Sequence, residues 1–197
     1  MKMTRFEKRF VNREKKSRRN IAALEKAFDH IDTGSVKTVL ELGCGVGFVS
    51  RHLAETYNFA VYGTDYDDEQ IQIAHQLQPK LDHLFFQIEN AARLSFEDSM
   101  FDLVISQNVF HHIPNWQKAI QEIARVLRSD GYFIWLDITF SGMVKKCFLP
   151  VVKNYGLYTI GDIKTTLHLY EFNTLFFEHL SHGPFSQYHF VTQQTGK

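Results

Sequence analysis

The chain has 197 residues, with 22 basic and 22 acidic side chains, a formal net charge of zero and 44% hydrophobic residues. This length predicts one domain of ordinary size, and this composition excludes an intrinsically disordered chain. No run approaches the roughly 18 apolar residues of a transmembrane segment, and the charged N-terminus lacks the apolar core of a signal peptide, so we expect a soluble, cytoplasmic protein. Cys44 and Cys147 form neither a disulfide framework nor a zinc knuckle, and we predict no metal site.

The neutral total hides a strongly basic N-terminus. Residues 1–20 carry nine basic side chains against two acidic ones, a net charge of +7 that leaves −7 for the other 177 residues. Apolar residues at three-, four- and seven-residue steps predict a helix over 4–30. We expect residues 1–33 to form a basic helical arm that folds over a ligand as a lid and gathers an anionic substrate. A solvated helix face explains the same charges equally well, and contact with RNA or an acidic membrane stays open.

Strands and helices are predicted to alternate along the rest of the chain. The alternation indicates βαβ units and a parallel sheet of an α/β protein. The turn signal at 181–184 adds a hairpin, which places an antiparallel last strand on this sheet. The predicted strands are 37–42, 59–64, 83–88, 101–106, 132–138, 172–180 and 185–192, and the predicted helices are 46–57, 67–78, 114–127 and 160–170.

A glycine-rich loop, Glu41-Leu-Gly-Cys-Gly-Val-Gly47, joins the first strand to the first helix after it. Glycine has no Cβ, so a ligand can lie directly on the loop backbone, and amide groups at a helix start point towards it. Asp65 ends the second strand, where its carboxylate can accept two hydrogen bonds from vicinal ribose hydroxyls. Either feature alone is often only a turn or a helix cap. Together and in this order they predict a nucleoside-binding crevice.

Two classes of cofactor use such a crevice. A dinucleotide site needs the spacing G-x-G-x-x-G with a pyrophosphate at the helix start. Here the third glycine comes one residue early, because position 48 is Phe48, and Glu41 would repel a pyrophosphate. S-adenosylmethionine carries a sulfonium and an ammonium and has no phosphate, so electrostatics favours this cofactor.

At this point the chain resembles the class I S-adenosylmethionine-dependent methyltransferases. The segments 39–47, 63–66, 101–113 and 122–131 are similar to the family's motifs, and the likeness covers about residues 36–138. It implies a Rossmann-like three-layer sandwich with a mostly parallel seven-stranded sheet, formed by residues 34–197. The broad group of ubiquinone and menaquinone biosynthesis methyltransferases is the most similar in character. Cofactor binding is expected at Glu41, Gly43, Cys44, Gly45, Gly47, Asp65, Tyr66, Asn90, Ala91 and Gln107.

The chain departs from the family pattern at two places. The family usually has aspartate where Asn90 stands, although the carbonyl oxygen of asparagine can still accept a hydrogen bond from the adenine amino group. The turn before the fifth strand reads Arg-Ser-Asp-Gly at 128–131 instead of Lys-Pro-Gly-Gly, which is a structural difference.

Methyl transfer is an in-line displacement, so the protein's main task is to align a nucleophile with the sulfonium methyl group. A general base helps most with hydroxyl acceptors, and the candidates are His111, His112 and Asp137. Alternatively, one histidine packs inward, the other caps a helix, and Asp137 satisfies nearby backbone.

The acceptor is expected to be a small molecule, anionic or partly apolar, covered by the arm and by a cap over residues 140–170. Two alternatives stay open: a methyltransferase that acts on RNA or protein through the basic arm, and a non-catalytic cofactor-binding or regulatory protein. The oligomeric state is not predictable from the sequence.

Overall fold

A seven-stranded sheet organises the chain, of which the computed structural model describes residues 14–78, 80–148, 152 and 154–196. The strand order is β3-β2-β1-β4-β5-β7-β6, and all pairs from β3 to β5 are parallel. Strand β7 runs antiparallel to both of its neighbours, which confirms the predicted hairpin. The strands are β1 (Thr38–Leu42), β2 (Ala60–Asp65), β3 (Leu84–Ile88), β4 (Phe101–Gln107), β5 (Leu127–Phe140), β6 (Phe172–Ser181) and β7 (Phe185–Gln194).

Six α-helices connect these strands in the described ranges. Asp67 caps α3 by accepting a hydrogen bond from the Glu69 amide, and Thr159 with Asp162 forms a capping box at the start of α6. None of these helices is long and apolar enough to cross a bilayer. The helices are α1 (Glu14–Phe28), α2 (Phe48–Tyr57), α3 (Asp68–Leu77), α4 (Trp116–Val126), α5 (Gly142–Phe148) and α6 (Ile160–Leu169).

Strand β5 begins five residues before the predicted start at 132. Its ladder with β4 pairs Phe101 with Leu127 and then Leu103 with Tyr132, so β4 advances by two residues while β5 advances by five. Asp130 takes a left-handed conformation in this interval, with φ of 62°. The turn predicted at 129–131 is therefore a bulge within one long strand.

Apolar side chains cover both faces of the sheet and produce three layers. Successive strand residues point to opposite faces, so Leu40 packs with α4 and α6, whereas Val39 packs with α1 and α2. Leu24 and Ala27 of α1 are fully buried in the second of these layers. The Rossmann-like three-layer sandwich is thus confirmed, and the second half of α1 belongs to its core.

Only part of the predicted N-terminal arm can be placed. Helix α1 accounts for residues 14–28 of the helix predicted over 4–30: residues 29–30 form a turn, and residues 4–13 lie outside the described residues. In the described part, apolar residues pack in the core, Lys16, Ser17 and Asn20 border a cleft, and Arg18 and Arg19 are exposed.

Candidate active site

A cleft of about 470 Å³ opens at the carboxyl ends of β1, β2 and β4. This volume lies within the range of about 300–1,000 Å³ that is usual for small-molecule sites, and the position is where open α/β sheets bind ligands. Nine of the ten predicted cofactor-binding residues line it, namely Glu41, Gly43, Cys44, Gly45, Asp65, Tyr66, Asn90, Ala91 and Gln107.

The loop after β1 forms the floor of the cleft. Gly43 has φ of 69°, and a Cβ there would lie 2.3 Å from a methyl carbon of Val109 in the loop after β4. The amide of Cys44 donates to the carbonyl of Thr64 at 2.8 Å, which ties the loop to β2. Glycine is required here because the two loops approach each other closely.

Gly47, the tenth predicted residue, does not line the cleft. It precedes α2 with φ of 83°, and a Cβ at this position would lie 2.5 Å from the ring of Phe86. The structure gives this glycine a packing role between α2 and β3, and its predicted contact with a cofactor has no geometric support.

Asp65 lies at the end of β2 with 9% of its surface exposed. Its Oδ2 accepts a hydrogen bond from the Gly45 amide at 3.0 Å, and its Oδ1 accepts one from the Asp67 amide at 2.9 Å. Burial raises the pKa of this carboxyl, and the charge of Asp67 acts in the same direction. Since a carboxylate has about four acceptor sites, each oxygen keeps a lone pair for a ligand hydroxyl.

Tyr66 follows Asp65 directly and forms part of the rim of the cleft. Its side chain is 51% exposed, so its ring can cover a ligand that lies at the end of β2.

Glu41 is the second buried carboxyl of the cleft. The hydroxyl of Ser50 donates to its Oε2. Burial raises the pKa of Glu41 to about 7, the hydrogen bond from Ser50 lowers it, and the charge of Asp65 raises it further. At neutral pH this group is therefore poised between its two protonation states, and a cation placed beside it would favour the ionised form.

The loop after β3 presents Asn90 and Ala91 to the cleft. The Oδ1 of Asn90 accepts a hydrogen bond from the Ala92 amide at 3.0 Å, and the Asn90 carbonyl accepts one from the Arg93 amide. An amide oxygen accepts two hydrogen bonds, so Oδ1 keeps one position for an adenine amino group.

Helix α1 forms one wall of the cleft and contacts the end of β4. The Nε2 of Gln107 donates to the backbone carbonyl of Asn20 at 2.9 Å, and the Nδ2 of Asn108 donates to the Asn20 side chain at 3.2 Å. No described residue donates to the Oε1 of Gln107, which is buried beside the cleft and is an acceptor for a ligand donor.

The three candidate catalytic residues separate into two groups. Asp137 is fully buried and accepts hydrogen bonds from the amides of Val109 and Phe110 at 2.8 and 2.7 Å, and its Oδ1 lies 2.5 Å from Nδ1 of His111. Neither Asp137 nor His111 lines the cleft, whereas His112 does. The Asp137 carboxylate therefore positions the loop after β4, and His112 is the candidate that faces a substrate.

Comparison with known proteins identifies the family of this fold and cleft. The family described as "Methyltransferase domain" matches residues 40–135. The chain is 36% identical over 100 residues to 2-methyl-6-phytyl-1,4-hydroquinone methyltransferase of Synechocystis sp., covering 51% of the chain and 31% of the relative. It is 30% identical over 151 residues to sarcosine/dimethylglycine N-methyltransferase of Halorhodospira halochloris, covering 73% and 54%.

The chain belongs to the class I S-adenosylmethionine-dependent methyltransferases. It spans between about a third and about half of the length of these two curated relatives. A methyltransferase from Methanosarcina mazei shares the fold, with a TM-score of 0.69 and 21% identity over 86% of this chain and 97% of that one. The [4+2]-cyclase SpnF shares the fold as well, with a TM-score of 0.73 and 15% identity, and the match covers 89% of this chain and 80% of SpnF.

The sequence predicts an arm over the ligand, but it does not identify which residues of α1 line the methyltransferase cleft. Lys16, Ser17 and Asn20 line the cleft alongside the motif residues. The basic charge of the arm was the available signal, but it could not indicate which basic residue faces inward. Asn154, from the predicted cap, also lines the cleft.

Proposed function

We propose that this chain transfers the methyl group of S-adenosylmethionine to a small-molecule acceptor. The observation that carries the proposal is the pair of buried carboxyls in one cleft, Asp65 and Glu41. Asp65 offers two oriented oxygens to a vicinal diol, and Glu41 offers a negative charge to a cation. A nucleoside with a cationic tail needs both of these groups.

The bound cofactor would supply an electrophilic methyl group on a sulfonium centre. The chain's own residues would hold it in place: Asp65 at the ribose hydroxyls, the carbonyl oxygen of Asn90 at the adenine amino group, and the Oε1 of Gln107 at a donor near β4. His112 would take a proton from a hydroxyl acceptor, while a neutral amine or a thiolate needs no base. Alignment by the cleft walls then provides most of the rate enhancement.

A small acceptor fits the way in which the cleft is covered. Among the described residues, Lys16, Ser17 and Asn20 of α1 and Asn154 line the cleft together with the loops after β1, β2 and β4, so its described walls come from several sides. The relatives named above have small molecules in their printed names.

The direct test is release of S-adenosylhomocysteine with a panel of acceptors: quinols, secondary amines, carboxylic acids, RNA and unfolded protein. We expect turnover with at least one small-molecule class and none with RNA or protein. Turnover with RNA alone that falls steeply with salt would favour a macromolecular acceptor. Cofactor binding without turnover on any member would favour a non-catalytic role.

A further inference from the structure

Lys16 is an unusual member of the cleft. Among the described residues it is the only lysine or arginine that lines the cleft, whereas three carboxyl groups do so. These carboxyl groups belong to Glu41, Asp65 and Glu89. Charge among the described residues of the cleft is therefore divided: Glu41 lies on β1, Asp65 on β2 and Glu89 just after β3, whereas Lys16 lies on α1.

The contacts of α1 fix the position of the helical turn that follows Lys16. Asn20, one turn later in the helix, is hydrogen-bonded to Gln107 and Asn108 at the end of β4. The charge of Asp137, at the end of β5, acts on Lys16 electrostatically. The turn of α1 that follows Lys16 is thus held at the β4 side of the cleft, whereas Asp65 ends β2 on the other side of β1.

Lys16 is half-buried, and no described residue accepts a hydrogen bond from its ammonium. Burial lowers the pKa of Lys16, and the attraction of Asp137 only partly offsets this effect. A half-buried cation without a hydrogen-bonded partner is costly, so an anionic ligand beside it would be favoured.

We propose that Lys16 binds a carboxylate of a ligand in this cleft. The proposal rests on the function proposed above, because it assumes that the cleft holds a cofactor and an acceptor. Two ligand groups have this chemistry: the carboxylate of the cofactor's amino-acid tail, and a carboxylate on the acceptor. Neighbouring strands are about 4.8 Å apart, so the ends of β2 and β4 are roughly 10 Å apart. The amino-acid tail of a nucleoside whose ribose is held by Asp65 would reach Lys16 if it ran towards β4, and an acceptor carboxylate would reach Lys16 if the acceptor lay beside the end of β5.

The test compares the wild type with Lys16→Met, which keeps the length of the side chain, and Lys16→Arg, which keeps the charge. Arg19→Met, an exposed position on the same helix, is the matched control. The probes are S-adenosylhomocysteine and 5′-methylthioadenosine, which has the same nucleoside and a thioether but no amino-acid tail. A second pair, benzoate and its neutral amide benzamide, is titrated into the protein saturated with S-adenosylhomocysteine. Affinities are measured by calorimetry.

If the partner is the cofactor tail, Lys16→Met lowers the affinity for S-adenosylhomocysteine about tenfold, as the loss of one charge-assisted bond predicts. The affinity for 5′-methylthioadenosine stays the same. If the partner is a carboxylate of the acceptor, Lys16→Met binds both nucleosides as tightly as the wild type does. The preference of the wild type for benzoate over benzamide is then lost in Lys16→Met. In both cases Lys16→Arg restores part of the effect and Arg19→Met has none.

The assignment of Lys16 is overturned if Lys16→Met loses affinity for both nucleosides equally. It is also overturned if the affinity for S-adenosylhomocysteine is unchanged and the wild type does not prefer benzoate to benzamide. A wild type that binds neither nucleoside overturns the proposed function itself, which keeps the two failures distinct.

Discussion

Replacement of Asp65 by alanine is expected to weaken S-adenosylhomocysteine binding at least tenfold, as measured by calorimetry. The reason is that Asp65 lines the cleft and its carboxylate is held by backbone donors, from Gly45 to Oδ2 and from Asp67 to Oδ1, which leaves further acceptor sites for ribose hydroxyls. A hydrogen bond to a charged group is worth about 1.5–3 kcal/mol, and roughly 1.4 kcal/mol corresponds to a factor of ten.

The matched control is Asp82→Ala, which removes an exposed carboxylate that does not line the cleft. Its affinity is expected to equal that of the wild type. Asp65→Asn keeps one acceptor oxygen, and its affinity for S-adenosylhomocysteine is expected to lie between those of Asp65→Ala and the wild type. Circular dichroism shows whether the Asp65 variants are folded, and unchanged affinity in a folded Asp65→Ala protein would remove the ribose role of this residue.

Binding of S-adenosylmethionine is expected to strengthen about tenfold as pH rises from 6 to 8, in proportion to the ionised fraction of Glu41. The pKa of this buried carboxyl is raised to about 7, and the cationic ligand binds best to its ionised form. Binding at pH 6 should therefore release a proton, which calorimetry in buffers of different ionisation enthalpy detects.

The stability of the ligand-free protein should respond to pH in the opposite direction. Since the folded pKa of Glu41 lies above its ordinary value of about 4.5, the folded state holds more protons between pH 4.5 and 7. The contribution of Glu41 to stability thus falls as pH rises through this window. Glu41→Gln removes the ionisable group. It is expected to reduce the pH dependence both of the affinity for S-adenosylmethionine and of the stability of the ligand-free protein. An affinity for S-adenosylmethionine that is the same at pH 6 and 8 in the wild type would contradict the proposed role of this group.

Local sequence signals predicted the sheet and the cofactor side of the cleft. Apolar segments flanked by turns placed the strands, and the loop from Glu41 to Gly47 with Asp65 marked where two parallel strands end together. These features depend on neighbours within a few residues, so periodicity and turn chemistry reveal them.

The side of the cleft next to α1 depends on contacts between residues that are distant in the chain. Gln107 reaches Asn20 across 87 residues, and Asp137 orients a loop that begins 28 residues earlier at Val109. Nothing local marks Lys16 among its basic neighbours as the one that faces the cleft. The place of Gly47 in the glycine motif predicts a ligand contact, whereas the structure also shows that a Cβ there would lie 2.5 Å from the ring of Phe86 on β3, a packing constraint that no local signal reveals.

The cleft is expected to bind a nucleoside that carries a thioether or a cationic sulfonium and to reject a pyrophosphate. Thermal unfolding with S-adenosylhomocysteine and with NAD, each at the same millimolar concentration, tests this most directly. Ligand that binds the folded state raises the melting temperature. We expect a rise with S-adenosylhomocysteine and none with NAD, since Glu41 repels a pyrophosphate. A rise with NAD and none with S-adenosylhomocysteine would contradict the account.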